Sequence, residues 1–496
     1  MTEQNQSAMN DEQFDEYMYR KYEGNIKDGS LQIDNQIEVT NLRFIEKFDI
    51  QTLDLQISSG MNVKLRSNTL TKLFVSNYRD EDEEQQQRLN MQVDDLELEN
   101  LEILILQENK LKNEQLYNLA KFKKLHILNV SWNNVDLTNI HSVTSLTRLL
   151  MESCGLKNID QISSLVNLKE LDLSQNKGIK DIFSPLRKLN SLTTLTMQDC
   201  GLQNIDKIQS LVNLEELDLS LNEDMDLNPL YQVRSLTKLS MRECGLTNID
   251  QIALLINLKV LNLASNQLLT TNSIGQLVNL KELNISYNDN IDITPLKDLI
   301  NLINLVLESC NLKQLSALKP FVNLQTLDLS GNNINISELQ YLKKLTHLYL
   351  IGCHIISICA LRPLVNLEDL IISYNRIVYL DANINDMKKL KQFHVHGNSI
   401  RDFKSVKKHQ NFTKYGFEMS DQEIPSQEDL YFANKLRKIE SPNIKLKEIQ
   451  NQHKSLKTAI NACKQKIKTV LNCTNHNQFL SSIAHLFVKL NQSVSE

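Results

Sequence analysis

Apolar residues recur along this chain in one spacing, L-x-x-L-x-L-x-x followed by Asn or Cys. In a segment such as Leu171-Asp172-Leu173 the apolar and polar side chains alternate, which predicts a short strand that buries one face and exposes the other. The spacing starts fourteen times at intervals of about 22 residues, a length typical of stacked repeats, at Leu101, Leu125, Leu146, Leu168, Leu192, Leu214, Leu236, Leu258, Leu280, Leu302, Leu324, Leu345, Leu367 and Leu390.

A second group of apolar residues follows each predicted strand, for example Ile159, Ile162 and Leu165. A single unit cannot bury both groups, whereas stacked units bury them in one continuous core. The sequence therefore predicts an α/β solenoid with a parallel sheet on its concave side. Because each repeat has only about 22 residues, we expect mostly extended or 3₁₀ segments on the convex side.

The repeat form L-x-x-L-x-L-x-x-N-x-I-x-x-I-x-x-L-x-x-L resembles a family of short leucine-rich repeats that includes a regulatory subunit of type-one protein phosphatase. Residues 292–302 (DITPLKDLINL) resemble the repeat of bacterial internalins. The near-copies CGLKNIDQI, CGLQNIDKI and CGLTNIDQI at 154–162, 200–208 and 244–252 are similar to those of expanded families in unicellular eukaryotes. The resemblance covers about 300 of the 496 residues.

This resemblance implies a leucine-rich-repeat horseshoe that acts as a non-enzymatic scaffold for protein–protein interaction, with a regulatory role like that of the phosphatase subunit. The alternative that it implies is an internalin-like surface adhesin. A third alternative, an enzyme with a hidden thiol site, belongs to a different class. Such repeats serve many partners, so the resemblance is more specific for the fold than for the function.

The spacing also divides the chain into regions. Two degenerate repeats, at Ile50-x-x-Leu53-x-Leu55 and Leu70-x-x-Leu73-x-Val75, precede the regular ones. The predicted regions are a polar N-terminal segment and cap (1–49), degenerate repeats with a charged insertion at 77–90 (50–100), the fourteen repeats (101–410), a C-terminal cap (411–442), and a basic heptad helix with a short amphipathic helix (443–496).

The predicted C-terminal helix is basic: residues 435–470 contain ten Lys or Arg and two Glu. Its heptad positions are spaced three and four apart, as in a coiled coil, at Leu446, Ile449, His453, Leu456, Ile460, Cys463, Ile467 and Val470, although His453 and Cys463 weaken the apolar seam. Three interpretations remain open: a solvated helix packed on the last repeats, a coiled-coil arm for self-association through 443–470, and a contact with the acidic concave face.

The net charge of −6 gives no general attraction to nucleic acid or to an anionic membrane. The first twenty residues lack an apolar core, so we expect no signal peptide, and no run of about 18 apolar residues indicates a membrane span. We therefore expect a cytoplasmic or nuclear protein that contacts neither nucleic acid nor membrane.

Five of the eight cysteines occupy the last position of the repeat, where the other nine units place Asn. We expect this position to point inward and to bond buried backbone groups, with Cys replacing Asn. Cysteines two repeats apart would lie about 9–10 Å apart, and a disulfide needs Cα atoms within about 7 Å, so we expect reduced thiols. The five are Cys154, Cys200, Cys244, Cys310 and Cys353.

The sequence predicts no metal ligands, cofactor or catalytic residues. Cys353, His354 and Cys359 lie close together, but the Cys-x₅-Cys spacing matches no usual zinc site. A buried cysteine is also unsuited to nucleophilic catalysis, which needs an exposed thiol of low pKa. Phosphate-binding, dinucleotide-binding, nucleophile-elbow and zinc-protease motifs do not occur.

The third, fifth, seventh and eighth positions of each repeat should face outward on the concave side, where solenoids usually bind their partners. The first three full repeats place apolar residues there, which indicates a contact surface. The alternative is that the N-terminal cap covers them. They include Ile103, Ile105, Ile127, Leu150 and Trp132, the only Trp of the chain.

Farther along, the outward positions are mostly acidic. This predicts a partner with a basic patch or, alternatively, a charge that serves solubility. The acidic residues are Glu152, Glu170, Asp172, Asp199, Glu216, Asp218, Glu282, Glu308, Asp328 and Asp369, with Arg148, Lys238 and Arg242 among them. A second aromatic and apolar group comprises Tyr287, Tyr349, Ile351, Ile371 and Tyr374.

Overall fold

The computed structural model describes residues 11–33, 42–57, 62–77, 90–380 and 382–401. The predicted C-terminal cap, basic helix and amphipathic helix lie outside these residues. Two α-helices are described, α1 (Asp11–Tyr22) and α2 (Phe183–Leu186). The strands are β1 (Ser30–Ile33), β2 (Thr52–Ile57), β3 (Asn62–Arg66), β4 (Lys72–Asn77), β5 (Asn90–Glu97), β6 (Ile103–Ile105), β7 (Ile127–Asn129), β8 (Arg148–Leu150), β9 (Glu170–Asp172), β10 (Thr194–Thr196), β11 (Glu216–Asp218), β12 (Lys238–Ser240), β13 (Val260–Asn262), β14 (Glu282–Asn284), β15 (Asn304–Val306), β16 (Thr326–Asp328), β17 (His347–Tyr349), β18 (Asp369–Ile371) and β19 (Gln392–His394).

Seventeen of these strands form one parallel sheet in the order β1, β2, β4 and then β6 to β19. Strands β6 to β19 each begin two residues after one of the fourteen predicted repeat leucines. The middle residue of each is buried and repeat leucines lie side by side, as Leu149, Leu171 and Leu195 do. The predicted parallel solenoid is confirmed.

The segments that return across the back of the core are short 3₁₀ turns rather than full helices. Parallel strands need a crossover connection, and a short repeat leaves room for only about one turn. The expectation of mostly 3₁₀ segments is confirmed, and α2 is the one four-residue helical turn in the repeats described. The 3₁₀ helices are Glu23–Asn25, Arg43–Lys47, Asn113–Leu116, Leu119–Lys121, Asp160–Ser164, Ile208–Ser210, Asn228–Gln232, Asp250–Leu254, Ile274–Gln276, Thr294–Asp298, Ser316–Leu318, Ile336–Tyr341, Cys359–Leu361 and Ala382–Asp386.

The N-terminal region contains more sheet than the spacing predicts. Strand β1 adds a further parallel strand beside β2, and β3 pairs with β5 in a separate two-stranded parallel sheet. Helix α1 packs against the 3₁₀ helix Arg43–Lys47, and the ring of Tyr19 stacks on Phe48 at 4.7 Å. Short alternations such as Leu31-x-Ile33 are the only sequence signal for these extra strands.

In nine of the fourteen repeats an inward-pointing Asn joins consecutive repeats at the turn that follows the strand. The Oδ1 atom of Asn176 accepts the backbone N–H groups of Cys154 and Leu156, at 3.1 and 3.0 Å. Its Nδ2 donates to Met151 O at 2.9 Å and to Leu173 O at 2.8 Å. One buried side chain thus satisfies backbone groups of two repeats, which would otherwise be buried without partners.

The five repeat cysteines take the place of Asn in this ladder. The Sγ of Cys154 donates to Val130 O at 3.3 Å, and that of Cys200 donates to Leu173 O at 3.2 Å. The other three make the same bond to the preceding repeat. All five are buried, so the prediction that they occupy the inward ladder position is confirmed.

A second ladder of asparagines, not predicted from the sequence, runs along the outside where the chain enters several of the strands. The Nδ2 of Asn279 donates to Ile256 O at 2.9 Å, and that of Asn301 donates to Val278 O at 3.1 Å. Asn167, Asn213, Asn257, Asn323 and Asn366 make the same bond. The repeats are therefore held by side chains at both ends of their strands.

We expect Asn222→Ala to destabilise the protein more than Cys244→Ala. The Asn222 side chain makes five hydrogen bonds, and its loss leaves buried amides of Cys200 and Leu202 without an acceptor, at a cost of about 3 kcal/mol. Loss of the weaker S–H bond of Cys244 costs about 1 kcal/mol. Urea unfolding of both variants measures the difference, and equal losses would contradict the ladder.

Candidate partner-binding face

Outward side chains of the large sheet form one long surface, which we call the sheet face. It consists of the third, fifth and eighth positions of each repeat, and of the seventh position in the seven repeats where that residue is not buried, as at Glu152, Arg242 and Glu308. The expectation that every seventh position faces outward is wrong: in the other seven repeats, as at Ser174 and Ser220, that residue is buried where the chain turns inward. The third and fifth positions flank the buried middle residue of each strand and are half-exposed or exposed in most repeats, as in β8 (Arg148, Leu150) and β12 (Lys238, Ser240). All sixteen residues predicted to bind a partner lie on the sheet face.

The N-terminal end of the sheet face is apolar. Ile103 lies beside Ile127 in the neighbouring strand, and Ile105 lies beside Phe74. These side chains are half-exposed, and Trp132 is 42% exposed. Sequence reasoning missed Phe74, although it stands at the fifth position of the degenerate repeat that starts at Leu70.

The exposure of this patch bears on whether the N-terminal cap covers it. Helix α1 packs against Arg43–Lys47, which precedes β2, through Tyr19 and Phe48. Trp132 keeps its exposure in the presence of α1. Within the described residues, the apolar patch is therefore accessible.

Every eighth position of the fourteen repeats has a left-handed backbone with φ between 51° and 70°. The conformation lets the residue donate its N–H to the next repeat, as Trp132 does to Glu152 O at 2.7 Å. Three repeats place Gly there, but others place Trp132 (φ 60°), Tyr287 (φ 56°) and Tyr374 (φ 55°). A bulky residue in this region costs about 1–2 kcal/mol.

Several acidic residues of the sheet face have cationic partners that the sequence did not reveal. Arg148 pairs with Glu170 at 2.9 Å, Lys238 pairs with Glu216 at 3.1 Å, and Lys177 pairs with Asp199 at 2.8 Å. His347 lies 3.3 Å from Asp369. Side chains one repeat apart meet because parallel strands lie about 4.8 Å apart. Three of the ten predicted acidic residues thus have a Lys or Arg partner.

Aspartates at the fifth position also have a structural role. Oδ1 of Asp172 accepts the N–H of Ser174 at 2.9 Å and its hydroxyl at 2.6 Å, and Asp218 does the same with Ser220. Asp328 accepts the N–H of Ser330 at 2.9 Å. These bonds shape the turn after the strand, as in other Asx turns.

Two groups on the sheet face combine an exposed ring with carboxylates that lack a cationic partner among the described residues. The N-terminal aromatic–acid cluster is Trp132, Glu152 and Asp172, and the C-terminal aromatic–acid cluster is Tyr287, Glu308 and Asp328. Each takes its aromatic residue from the eighth position of one repeat, its Glu from the seventh of the next, and its Asp from the fifth of the one after. The two clusters lie seven repeats apart.

The carboxylates of each cluster repel one another. Burial, and then the neighbouring charge of Asp172, raise the pKa of Glu152, while a hydrogen bond to Trp132 opposes that shift. Burial raises the pKa of Asp328, and the neighbouring charge of Glu308 raises it further, while hydrogen bonds from Ser330 oppose the shift. The Tyr287 hydroxyl donates to Glu308 at 2.6 Å, which raises the pKa of Tyr287. A cation placed at either cluster would relieve this repulsion.

The C-terminal end of the sheet face carries the remaining aromatic residues. Tyr349 is half-buried in β17 beside Ile371 of β18, and burial, followed by Asp369 and Asp328, raises its pKa. Tyr374 is 60% exposed and its ring meets His396 edge-on at 4.9 Å.

The ladder cysteines have the high pKa values of unreactive, buried thiols. Burial raises the pKa of Cys154 to about 12 and the pKa values of Cys200, Cys244, Cys310 and Cys353 to about 11. Among the described residues, no group of three His, Cys, Asp or Glu side chains could hold a metal ion. No helix in that part of the chain is long and apolar enough to cross a membrane.

A family model described as leucine rich repeats (2 copies) matches residues 144–188. A leucine-rich repeat protein of Leptospira interrogans is 26% identical with a TM-score of 0.53, over 65% of this chain and 90% of that one. A chain of the mouse RP105/MD-1 complex is 19% identical with a TM-score of 0.57, over 79% of each chain. An internalin of Listeria monocytogenes is 24% identical with a TM-score of 0.49, over 65% of this chain and 88% of that one. No curated protein sequence matches the chain.

We expect iodoacetamide to leave the five ladder thiols of the folded protein unmodified. At about pH 8.5 half of an ordinary thiol is ionised, whereas burial keeps the ladder thiols protonated until the pH approaches 11. Peptide mass spectrometry measures the labelling, with Cys359, which is partly exposed, as the internal comparison. A ladder cysteine that reacts as fast in the folded protein as in urea would revive the thiol-enzyme hypothesis.

Proposed function

The chain is a leucine-rich repeat protein, and we propose that its sheet face binds another protein through a basic region of that partner. One observation carries the proposal: the two aromatic–acid clusters repeat one arrangement of exposed ring, Glu and Asp. Exposed Trp and Tyr are favoured anchors of protein interfaces, and unpaired carboxylates beside them select cationic groups.

The distance between the clusters sets the spacing of the basic groups that the partner must present. Seven repeats at about 4.8 Å per strand separate them by about 34 Å. A ten-residue extended segment spans about the same length, and a standard interface, which buries about 800 Å² on each partner, is also large enough. The proposed partner therefore presents at least two basic groups about 34 Å apart along the sheet.

The role proposed is that of a non-enzymatic scaffold in the cytoplasm or nucleus. Buried, protonated thiols and a surface of alternating rings and carboxylates suit binding better than catalysis. The resemblance to phosphatase regulators makes a phosphatase catalytic subunit one candidate partner. Fractionation of tagged protein tests the compartment, and recovery in an envelope or surface fraction would instead favour the adhesin alternative.

Removal of either exposed ring should weaken partner binding. We expect Trp132→Ala and Tyr287→Ala each to lower the affinity by tenfold or more, because a central aromatic anchor contributes about 2 kcal/mol. Glu152→Gln and Glu308→Gln should lower it less, since they keep the shape and lose only the charge. Proteins captured from lysate by wild type and variants identify the partner, and calorimetry with the purified partner gives the affinities.

The matched control is Tyr231→Ala. Tyr231 is a similarly exposed Tyr, but it lies in the 3₁₀ helix Asn228–Gln232, away from the sheet face. Its removal should leave capture unchanged. If Tyr231→Ala reduces binding and both ring variants on the sheet face do not, the binding surface has been assigned to the wrong side.

Salt should slow association. Raising the salt from about 0.1 M to about 1 M shortens the Debye length from about 10 Å to about 3 Å, which screens steering between the clusters and a basic partner. We expect the wild-type association rate, measured by surface plasmon resonance, to fall with salt more steeply than that of the Glu152→Gln/Glu308→Gln double variant. Identical salt dependence would contradict the electrostatic part of the proposal.

A further inference from the structure

We propose that the N-terminal end of the sheet face holds a pocket for one Lys or Arg side chain of the partner, anchored by Asp54. The inference rests on the proposed function and adds to it a specific recognition point. The chemistry expected is a basic side chain flanked by apolar ones, with the cation on Asp54 and the apolar groups on Phe74 and the isoleucines beyond it.

An open cleft of about 780 Å³ lies at this end of the sheet. Its lining includes Tyr22 from α1, Ser30 and Gln32 from β1, Thr52 and Asp54 from β2, and Phe74 from β4. The 3₁₀ helix Glu23–Asn25 and Lys27, which connect α1 to β1, also contribute to the lining. The volume lies within the range of about 300–1,000 Å³ found for clefts that hold small molecules, so it has room for one basic side chain and its flanking residues.

The Asp54 carboxylate does not form the turn hydrogen bond that other fifth-position aspartates form. Asp54 stands at the fifth position of its repeat, the position that Asp172 has in a regular repeat. There the chain turns after the strand, and Asp172 accepts the backbone N–H of Ser174. Strand β2 instead stays extended to Ile57, so no such turn follows Asp54. Among the described residues Asp54 has no hydrogen-bond or ion-pair partner, and burial alone raises its pKa.

A partly buried carboxylate without a partner loses solvation and gains nothing in return. Lys27 lines the cleft, and Lys72 lies beside Thr52 in the sheet. Neither lysine forms an ion pair with Asp54, and neither contributes to the shift of its pKa. A bound cation would supply the missing charge.

The apolar neighbours of Asp54 indicate that the ligand has apolar groups beside its cation. Asp54 lies directly beside Phe74 across the strands, and Phe74 lies beside Ile105. Ile103 and Ile127 continue the apolar surface. A Lys or Arg side chain can pack its methylene groups on the Phe74 ring while its charged end reaches Asp54. Adjacent apolar residues of the same segment would then cover Ile105 and Ile103.

Two capped tripeptides test the pocket: leucine–lysine–leucine and leucine–norleucine–leucine, which differ mainly in the charge. Saturation-transfer NMR titrations give their affinities for the full chain. We expect the lysine peptide to bind wild type about tenfold more tightly, as a charge-assisted hydrogen bond implies. Asp54→Asn should reduce that preference to less than about twofold, and Phe74→Ala should weaken both peptides.

The control variant is Asp298→Asn, which removes one exposed carboxylate from the 3₁₀ helix Thr294–Asp298 and should retain the tenfold preference. Equal affinity of the two peptides for wild type, or an unchanged preference in Asp54→Asn, would overturn the pocket. Butylammonium that binds as tightly as the lysine peptide would indicate a site for small amines and would overturn the docking of a protein segment. If the peptide titrations contradict the pocket but Trp132→Ala still abolishes capture of the partner, the proposed function stands and only the pocket is withdrawn.

Discussion

The structure depends on one hydrogen-bonding requirement. Where each strand ends, the chain turns inside the stack, and its amide and carbonyl groups have no access to water. One inward side chain per repeat satisfies them, as Asn176 does for Cys154 and Leu156. Because that side chain bonds the preceding turn, neighbouring repeats can stack in only one register. A cysteine can take the position because a small buried S–H group also donates to the preceding strand.

The same requirement creates the binding surface. With the ladder residue and the middle of each strand turned inward, the third and fifth positions must face outward. The eighth position is held left-handed, because its N–H donates to the next repeat while its side chain points away from the core. Trp132 and Tyr287 are displayed by this geometry, and each lies next to a Glu one repeat further along. The regular scaffold thus places rings and carboxylates at matching offsets seven repeats apart.

Residue spacing was enough to predict the strands from β6 to β19, the 3₁₀ back and the place of the cysteines, because each depends on a period within one chain segment. Strand β1 and the β3–β5 sheet were missed because they have two or three apolar residues each and no period. The pairing of Arg148 with Glu170 was missed because it depends on side-chain reach between strands. Asp54 looks like any fifth-position aspartate until the continuation of β2 to Ile57 shows that its usual bond is absent.

Site-specific photo-crosslinking tests the central claim, that the sheet face contacts the partner, most directly. Benzoylphenylalanine replaces Tyr287 on the sheet face in one version of the protein and Tyr231 on the 3₁₀ side in another. The rings are similarly exposed and of similar size, so the comparison isolates their location. After irradiation in lysate, we predict a discrete adduct with one partner from position 287 and none from position 231. An adduct from position 231 alone would contradict the account.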